Sequence, residues 1–392
     1  CNSSIFSAFF LLQVSKTGMD KHKQKTSFCK WIAPVSFENL PLRLQEQIGQ
    51  TNTYVKKLYF DRFLKLMLHA VSSQKASLRD IEASLLNPDL QAELGFDSLS
   101  SSQISRKIRG IKPIILEEMF HFLVSLANQG KRNGKLPKAF IVDSTTVSLN
   151  KTRYPWAEFR TTKSGIKLHL RLAYIGKGDA YPDRAIITNA SVHDVNRLEI
   201  VVDEKLATYI FDRGYLDFEM FDKFSHDEFF FVSRIRKNTL VKVMEEYEVP
   251  SGGSILQDQM VVLGGKNGYL TDPYRLVEVT DTQENRLRII TNRFDLSAEA
   301  ISQMYRSRWE IELFFKQLKQ QTTIKKFFSR DEDGLKNQVY LALIAQLLTY
   351  LVKLETQSVL SSLTIQRYLF ASLWEASELW ETRIRGKPTE SK

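Results

Sequence analysis

Two aspartates close short apolar runs: Asp143 follows Lys138-Ala-Phe-Ile-Val, and Asp212 follows Ala207-Thr-Tyr-Ile-Phe. A carboxylate at the end of a buried strand stands where ligand sites gather in α/β sheets, although turn formers and helix caps use the same residue. A third acid sits in different company. On a helix from Ser302 to about Thr322, at roughly 100° per residue, Tyr305, Arg308, Glu312, Lys316 and Lys319 share an arc of about 80°. Ile311, Phe314, Phe315 and Leu318 occupy the adjoining face and would anchor that helix on a core. An i,i+4 ladder of ion pairs on a wet face would also use such residues. Between Tyr305 and Lys326, however, six basic residues stand against two acidic ones, which leaves most cations without a local partner. Arginines and lysines around one carboxylate suit a phosphate chain laid over a metal ion.

The elements that must position these groups change in period along the chain. From about Glu38 to Gly130 the apolar residues recur at helical spacing, as in Leu58, Phe60, Phe63, Leu64, Met67 and Leu68, and again from Ile114 to Leu126. Ser77-Leu-Arg-Asp80 predicts a capped short helix, a polar linker follows, and Ser100 caps a second helix carrying Gln103, Arg106, Lys107 and Arg109. Two short helices, the second polar and basic, match a helix-turn-helix reader in outline, a composition that a solvated helix face also produces. After a Gly/Asn-rich loop at 128–135, the pattern predicts a strand to Asp143, a hairpin of 165–175 with 184–188 around Gly176-Lys-Gly-Asp179, a helix near 195–205, and a strand to Asp212. Strand, hairpin, helix, strand implies a mixed sheet with helical crossovers, an α/β core. Residues 229–292 hold short β-branched runs between Gly/Pro turns and read as a β-rich insertion. Helices resume at Ser297, and 339–354 and 365–380 are expected to cover one face of the sheet.

In these residues the chain resembles the DDE transposases of bacterial insertion sequences, specifically the insertion sequence 4 family. That family's Tyr-x2-Arg-x3-Glu-x6-Lys signature is matched by Tyr305, Arg308, Glu312 and Lys319 at every spacing. Its Asp-Arg-Gly-Tyr block stands as Asp212-Arg213-Gly214-Tyr215, and its first aspartate block as Asp143-Ser-Thr-Thr146, with Ser144 where glycine is common. Pro155-Trp156, Lys167-Leu-His169 and Lys336-Asn-Gln338 are also similar, so the resemblance covers roughly residues 40 to 355.

The resemblance implies an RNase H-like mixed sheet with a β-rich insertion ahead of the glutamate and an N-terminal helical DNA-binding domain. Asp143, Asp212 and Glu312 would be the catalytic metal triad, holding two Mg2+ ions with Mn2+ able to substitute; hard cations of this kind take oxygen ligands. Tyr305, Arg308, Lys319 and Arg213 would contact DNA in the catalytic domain, and Gln103, Arg106, Lys107 and Arg109 would contact it in the helical one. Trp309 is placed to stack on a base or to pack, and Asp194, next to His193, to cap a helix. The implied partner is double-stranded DNA, both transposon ends and target, handled by a homodimer in the synaptic complex. Second-strand cleavage would go through a hairpin on the transposon end. Two rivals stand beside this reading: a decayed or domesticated DNA-binding protein, and an RNase H-like nuclease that never joins strands.

Composition agrees and excludes other classes. The net charge of +10, from 55 basic and 45 acidic residues, suits a polyanionic partner. Cys1 and Cys29 are too few for a disulfide scaffold or a cysteine zinc site, and the six histidines lack zinc-protease spacing. The run 339–354, interrupted by Gln346, reads as a buried helix with no role in a membrane. A cytoplasmic, nucleoid-associated bacterial protein is expected. Residues 1–18 read as upstream leader ahead of Met19, since Ile5 to Val14 lacks a positive segment before it. The expected domains are 19–135, helical and DNA-binding; 136–228, first part of the catalytic core; 229–294, the insertion; and 295–392, the rest of the core with the C-terminal helices.

Overall fold

The structure, a computed structural model, describes residues 26–129, 138–160, 163–191, 201–215, 218–250, 253–265, 268–281, 283–321 and 326–385. The expected leader, the Gly/Asn-rich loop, His193, Asp194 and most of the helix expected near 195–205 lie outside the described residues. The chain divides into two compact units: residues up to 134 with 321–329 and 333 onward, and residues 135–320 with 330–332.

The helical unit opens with α1 (Ser27–Ile32), α2 (Leu42–Thr51), α3 (Phe60–Ser72), α4 (Leu78–Ser84), α5 (Pro88–Leu94), α6 (Ser101–Gly110) and α7 (Pro113–Gln129). The helical period holds in α3, where Phe60, Phe63, Leu64, Met67 and Leu68 are all buried. Ser77 caps α4 through the Asp80 N–H, and Ser100 and Gln103 form a reciprocal capping box on α6. The segment expected to be a polar linker holds a helix of its own. Asn87 caps α5, Pro88 fills its first position, and Gly95 ends it in the left-handed region at φ +69°.

The second unit is built on one mixed sheet. Its strands are β1 (Ala139–Leu149), β2 (Glu158–Arg160), β3 (Lys163–Gly176), β4 (Asp179–Asn189), β5 (Thr208–Ile210), β6 (Phe230–Arg234), β7 (Val241–Glu246), β8 (Ile255–Gly265), β9 (Gly268–Tyr269), β10 (Tyr274–Thr280) and β11 (Arg286–Thr291). Its helices among the described residues include α8 (Phe218–His226), α9 (Ala298–Ser307) and α10 (Trp309–Gln321). The strand order is β2-β3-β1-β5-β6-β11-β10-β8-β7, with β4 beside β3 and β9 beside β8. The β3–β4 hairpin appears as expected, turning at Gly178 with φ +70°. β1, β5 and β6 run parallel, and their neighbours run antiparallel. The boundary expected at 229 therefore falls at the head of a central strand. β6 belongs with β1 and β5, and only the strands from β7 onward extend the same sheet outward.

Alternation along the strands sends α8 and α9 to opposite faces. Phe221 of α8 stacks on Phe231 with centroids 4.2 Å apart and lies 5.9 Å from Phe211, both on one face. Tyr305 of α9 reaches Asp212 on the other.

The chain then returns to the helical unit with α11 (Glu332–Thr356), α12 (Ser362–Ala371) and α13 (Ser377–Ile384). The expected domain 295–392 thus divides, its last helices belonging with the helical unit. Among the described residues α11 alone is long and apolar enough to cross a membrane, and 83% of its apolar window is buried inside the structure. A helix apolar all round needs neighbours on every side, and α1 and α7 supply some of them through Trp31 against Thr349 and Phe120 against Tyr340. Trp31 donates to Thr349 at 3.2 Å, Phe28 meets Trp374 at 5.3 Å, and Asn337 donates to the carbonyls of Ile108 and Ile111, closing the end of α6.

Candidate active site

Register assembles the first part of the site. Ile141 of β1 pairs with Ile210 of β5, which pairs with Val232 of β6. Two residues further along β1 and β6, Asp143 and Arg234 leave the same face as Ile141 and Val232, and Asp212 follows two residues after Ile210 beyond the end of β5. Asp143 does not end its strand, because β1 runs on through Leu149 against β3; what ends there is the parallel pairing with β5. The Ser144 N–H donates to Asp143 Oδ1 at 2.7 Å. Asp212 lies just past β5, where the helical turn Arg213–Tyr215 begins, and Arg213 is exposed. Arg234 Nε lies 3.3 Å from Asp212 Oδ1.

The second part comes from α9 and α10. The single helix expected from Ser302 is two helices meeting at Arg308, whose N–H donates to the Tyr305 carbonyl at 3.1 Å. The stripe survives the junction. Tyr305 Oη donates to Asp212 Oδ1 at 3.4 Å, the Arg308 guanidinium lies 6.0 Å from the Tyr305 ring, and Arg308 Nη1 donates to Glu312 Oε1 at 2.6 Å. Lys319 donates to Thr145 Oγ1, two residues from Asp143 on the same face of β1. Glu310 fixes the start of α10 by accepting from the Gly178 N–H at 2.9 Å. Ile311, Phe315 and Leu318 are buried, as the adjoining-face pattern implied, while Phe314 is half-buried.

Burial, reinforced by the Asp212 charge, pushes the Tyr305 phenol up to about 12, so it remains a donor at neutral pH. Burial alone would lower the Arg308 guanidinium, but its bond to Glu312, with Tyr305 and Asp212 nearby, holds it above the usual arginine value.

The strand residues and the stripe thus join Asp212, Tyr305, Arg308 and Glu312 in one chain of contacts, with Asp143 and Lys319 alongside. Among the described residues no three acids form a ready-made metal-binding group. The donor chemistry nonetheless fits a hard divalent ion. Asp143 and Asp212 each follow two residues after the paired Ile141 and Ile210 of adjacent strands, and Asp212 and Glu312 each face an arginine where a divalent ion could stand.

Other expected residues are placed less centrally. Trp309 is 56% exposed, so it is not a packing tryptophan. Gln103, Arg106, Lys107 and Arg109 lie on α6 in the helical unit. Gln103 is engaged in its capping box, and Lys107 donates to the Thr51 carbonyl at 3.0 Å. Arg106 and Arg109 are exposed. Arg234 was missed by the sequence reading, although its run Phe229 to Ser233 has the same form as the two that end in aspartate. Assigning that run to the insertion hid it.

Residues 134–348 match the family model described as "Transposase DDE domain", and residues 23–97 match "Domain of unknown function (DUF4372)". The probable transposase for insertion sequence element IS5377 of Geobacillus stearothermophilus is 28% identical over 321 residues, 75% of this chain and 82% of that protein. A protein of Sinorhizobium fredii designated transposase y4zB is 30% identical over 237 residues, 59% of this chain and 65% of its own. A protein of Synechocystis designated a transposase for insertion sequence element IS4SA is 24% identical over 252 residues, 62% of this chain and 68% of its own. The DDE match spans more than half of the 392 residues and contains every residue of the site just described, and the chain belongs to the transposase DDE domain family.

Proposed function

We propose that the chain is the transposase of an insertion sequence resembling the insertion sequence 4 family, and that it cuts its element at the terminal inverted repeats and joins the 3′ ends to target DNA. The observation that carries this reading is the single chain of contacts from Asp212 through Tyr305 and Arg308 to Glu312, with Asp143 two residues beyond the Ile141–Ile210 pair on the neighbouring strand. An RNase H-like core is supported by the order β4-β3-β1-β5-β6, with the last three strands parallel.

Asp143, Asp212 and Glu312 would hold the divalent ions, magnesium by choice of ligand type. When bound, two such ions activate the attacking oxygen and neutralise the leaving one in an in-line displacement. The protein's own side chains supply position and charge. Arg308 turns from Glu312 to a phosphate beside the scissile bond, Lys319 grips the next, and Tyr305 keeps Asp212 oriented by donating to it. Water cleaves first, freeing a 3′-hydroxyl; that hydroxyl attacks the opposite strand to form the hairpin on the transposon end and release the flanking DNA. A second water opens the hairpin and restores the 3′-hydroxyl, and the restored hydroxyl attacks a target phosphate, displacing a target 3′-oxygen. A dimer would pair two ends, and Arg106 and Arg109 of α6 would read the repeats.

The test is a supercoiled plasmid carrying the element's two ends. Nicking at the ends, followed by joined products in magnesium, supports the reading. Cleavage without joining would favour the plain nuclease, and binding without cleavage the decayed protein.

A further inference from the structure

The loop that leaves β6 contains a second arginine device outside the site. Arg288 of β11 lies level with Glu278 of β10, and its Nε stands 3.1 Å from Glu278 Oε1. Its Nη1 donates to three carbonyls of one loop: Arg236 at 3.4 Å, Lys237 at 3.1 Å and Thr239 at 3.2 Å. The loop is tied at both ends as well. The Ile235 N–H donates to the Arg288 carbonyl at 3.0 Å, and the Leu240 carbonyl accepts from the Gly264 N–H at 2.8 Å. Arg236, Lys237 and Asn238 are exposed, and among the described residues neither Arg236 nor Lys237 forms an ion pair.

Two consequences follow from this arrangement. The carbonyls, which would repel a polyanion, are turned onto Arg288, whose own charge is matched by Glu278. The outward face is left with two cations on a fixed backbone. The loop also starts one residue past Arg234, whose guanidinium touches Asp212. Two residues of chain reach at most about 7 Å, roughly the spacing of two phosphates along a strand.

Resting on the transposase reading above, we propose that Arg236 and Lys237 form a backbone clamp for duplex DNA running past the cleavage position, with Arg288 as the positioning residue that presents them. Phosphate contacts of this kind fix the path of the duplex and carry no sequence information.

The experiment uses the full chain and two duplexes, one extending about ten base pairs on each side of the cleavage position and one ending short of it. Binding is measured across salt concentrations, and nicking in magnesium is measured in parallel. Arg236→Ala with Lys237→Ala should lower the salt slope by about 1.8 on the spanning duplex and leave the short one unchanged. Arg288→Ala should raise the DNA concentration for half-maximal nicking about tenfold with the maximal rate within about twofold, the mark of binding shared by ground and transition states. Arg288→Lys, which keeps the charge and some donors, should restore part of the loss. An unchanged slope in the exposed double variant, which removes nothing from the core, overturns the clamp. Wild-type protein that binds both duplexes but never nicks overturns the transposase reading instead.

Discussion

Arg234 Nε stands 3.3 Å from Asp212 Oδ1, each residue two positions beyond the Ile210–Val232 pair of two adjacent parallel strands. A cation therefore already stands against a proposed metal ligand. Arg234→Gln should lower the magnesium concentration needed for half-maximal nicking, because the competing charge is gone. The maximal rate should also fall, by about tenfold, because a phosphate-facing cation is lost. A magnesium titration of nicking checks both, and a higher magnesium requirement with an unchanged maximum would contradict the assignment.

Tyr305 is held protonated by burial and by Asp212, with its phenol pushed up to about 12. The rates of wild type and Tyr305→Phe should therefore stay in constant ratio from about pH 7 to about pH 10, since the phenol does not titrate there. The variant should lose roughly three- to tenfold, the scale of one hydrogen bond to a charged group. A ratio that bends within this range would mean the phenol titrates in the assay and acts as more than a fixed donor.

Periodicity made the elements that carry these residues legible in the sequence, while their grouping as one site came only from the family resemblance. Asp143 and Asp212 announce themselves because a strand alternates and each acid closes an apolar run. Tyr305, Arg308, Glu312 and Lys319 do so because a helix returns to one face every three or four residues. The kink at Arg308 was not visible, since both helices keep the same phase across it. Arg234 was hidden because strand pairing is non-local, and nothing in its own segment says that β6 lies beside β5. The same limit applies to α11, whose apolar residues signal burial but not the surface that buries them. In α6, Gln103 and Lys107 look like base readers by type, yet the structure uses one as a cap and the other on the Thr51 carbonyl.

That last finding sharpens the test of sequence reading. A fragment ending near residue 130 would lose the partners of Trp31, Phe28 and the end of α6, all supplied by residues 337–374, and is expected to be poorly folded by circular dichroism. In the full chain, Arg106→Ala with Arg109→Ala should erase the preference for terminal repeats over scrambled duplex in competition binding at fixed salt. Equal losses on both duplexes would mean that this helix only neutralises charge.

The helical unit should also weaken in acid. His69 is 8% exposed, edge-on to Phe28 and 6.0 Å from the Trp374 ring, and burial, then Lys75, lower its pKa from 6.5 to about 4. With the folded value depressed, the unfolded chain takes the proton first. Stability is therefore intact above about pH 6.5 and is lost as pH falls through about 4, by roughly 3 kcal/mol at most. His69→Leu should flatten that limb in denaturant titrations from pH 7 to 4; an unchanged slope would show that other groups carry it.

One comparison tests the cutting centre most directly: nicking of a supercoiled plasmid bearing the element's ends by wild type and by Glu312→Gln in magnesium, with end binding measured alongside. Glu312→Gln removes a metal-ligand charge and leaves Arg308 and Lys319 in place. It should bind the ends within about threefold of wild type and lose at least about a thousandfold in nicking. Lys319→Ala should do the reverse, weakening binding and reducing the salt slope by about one phosphate contact. A Glu312→Gln protein that nicks at the wild-type rate would contradict the assignment of Asp143, Asp212 and Glu312 as the cutting centre.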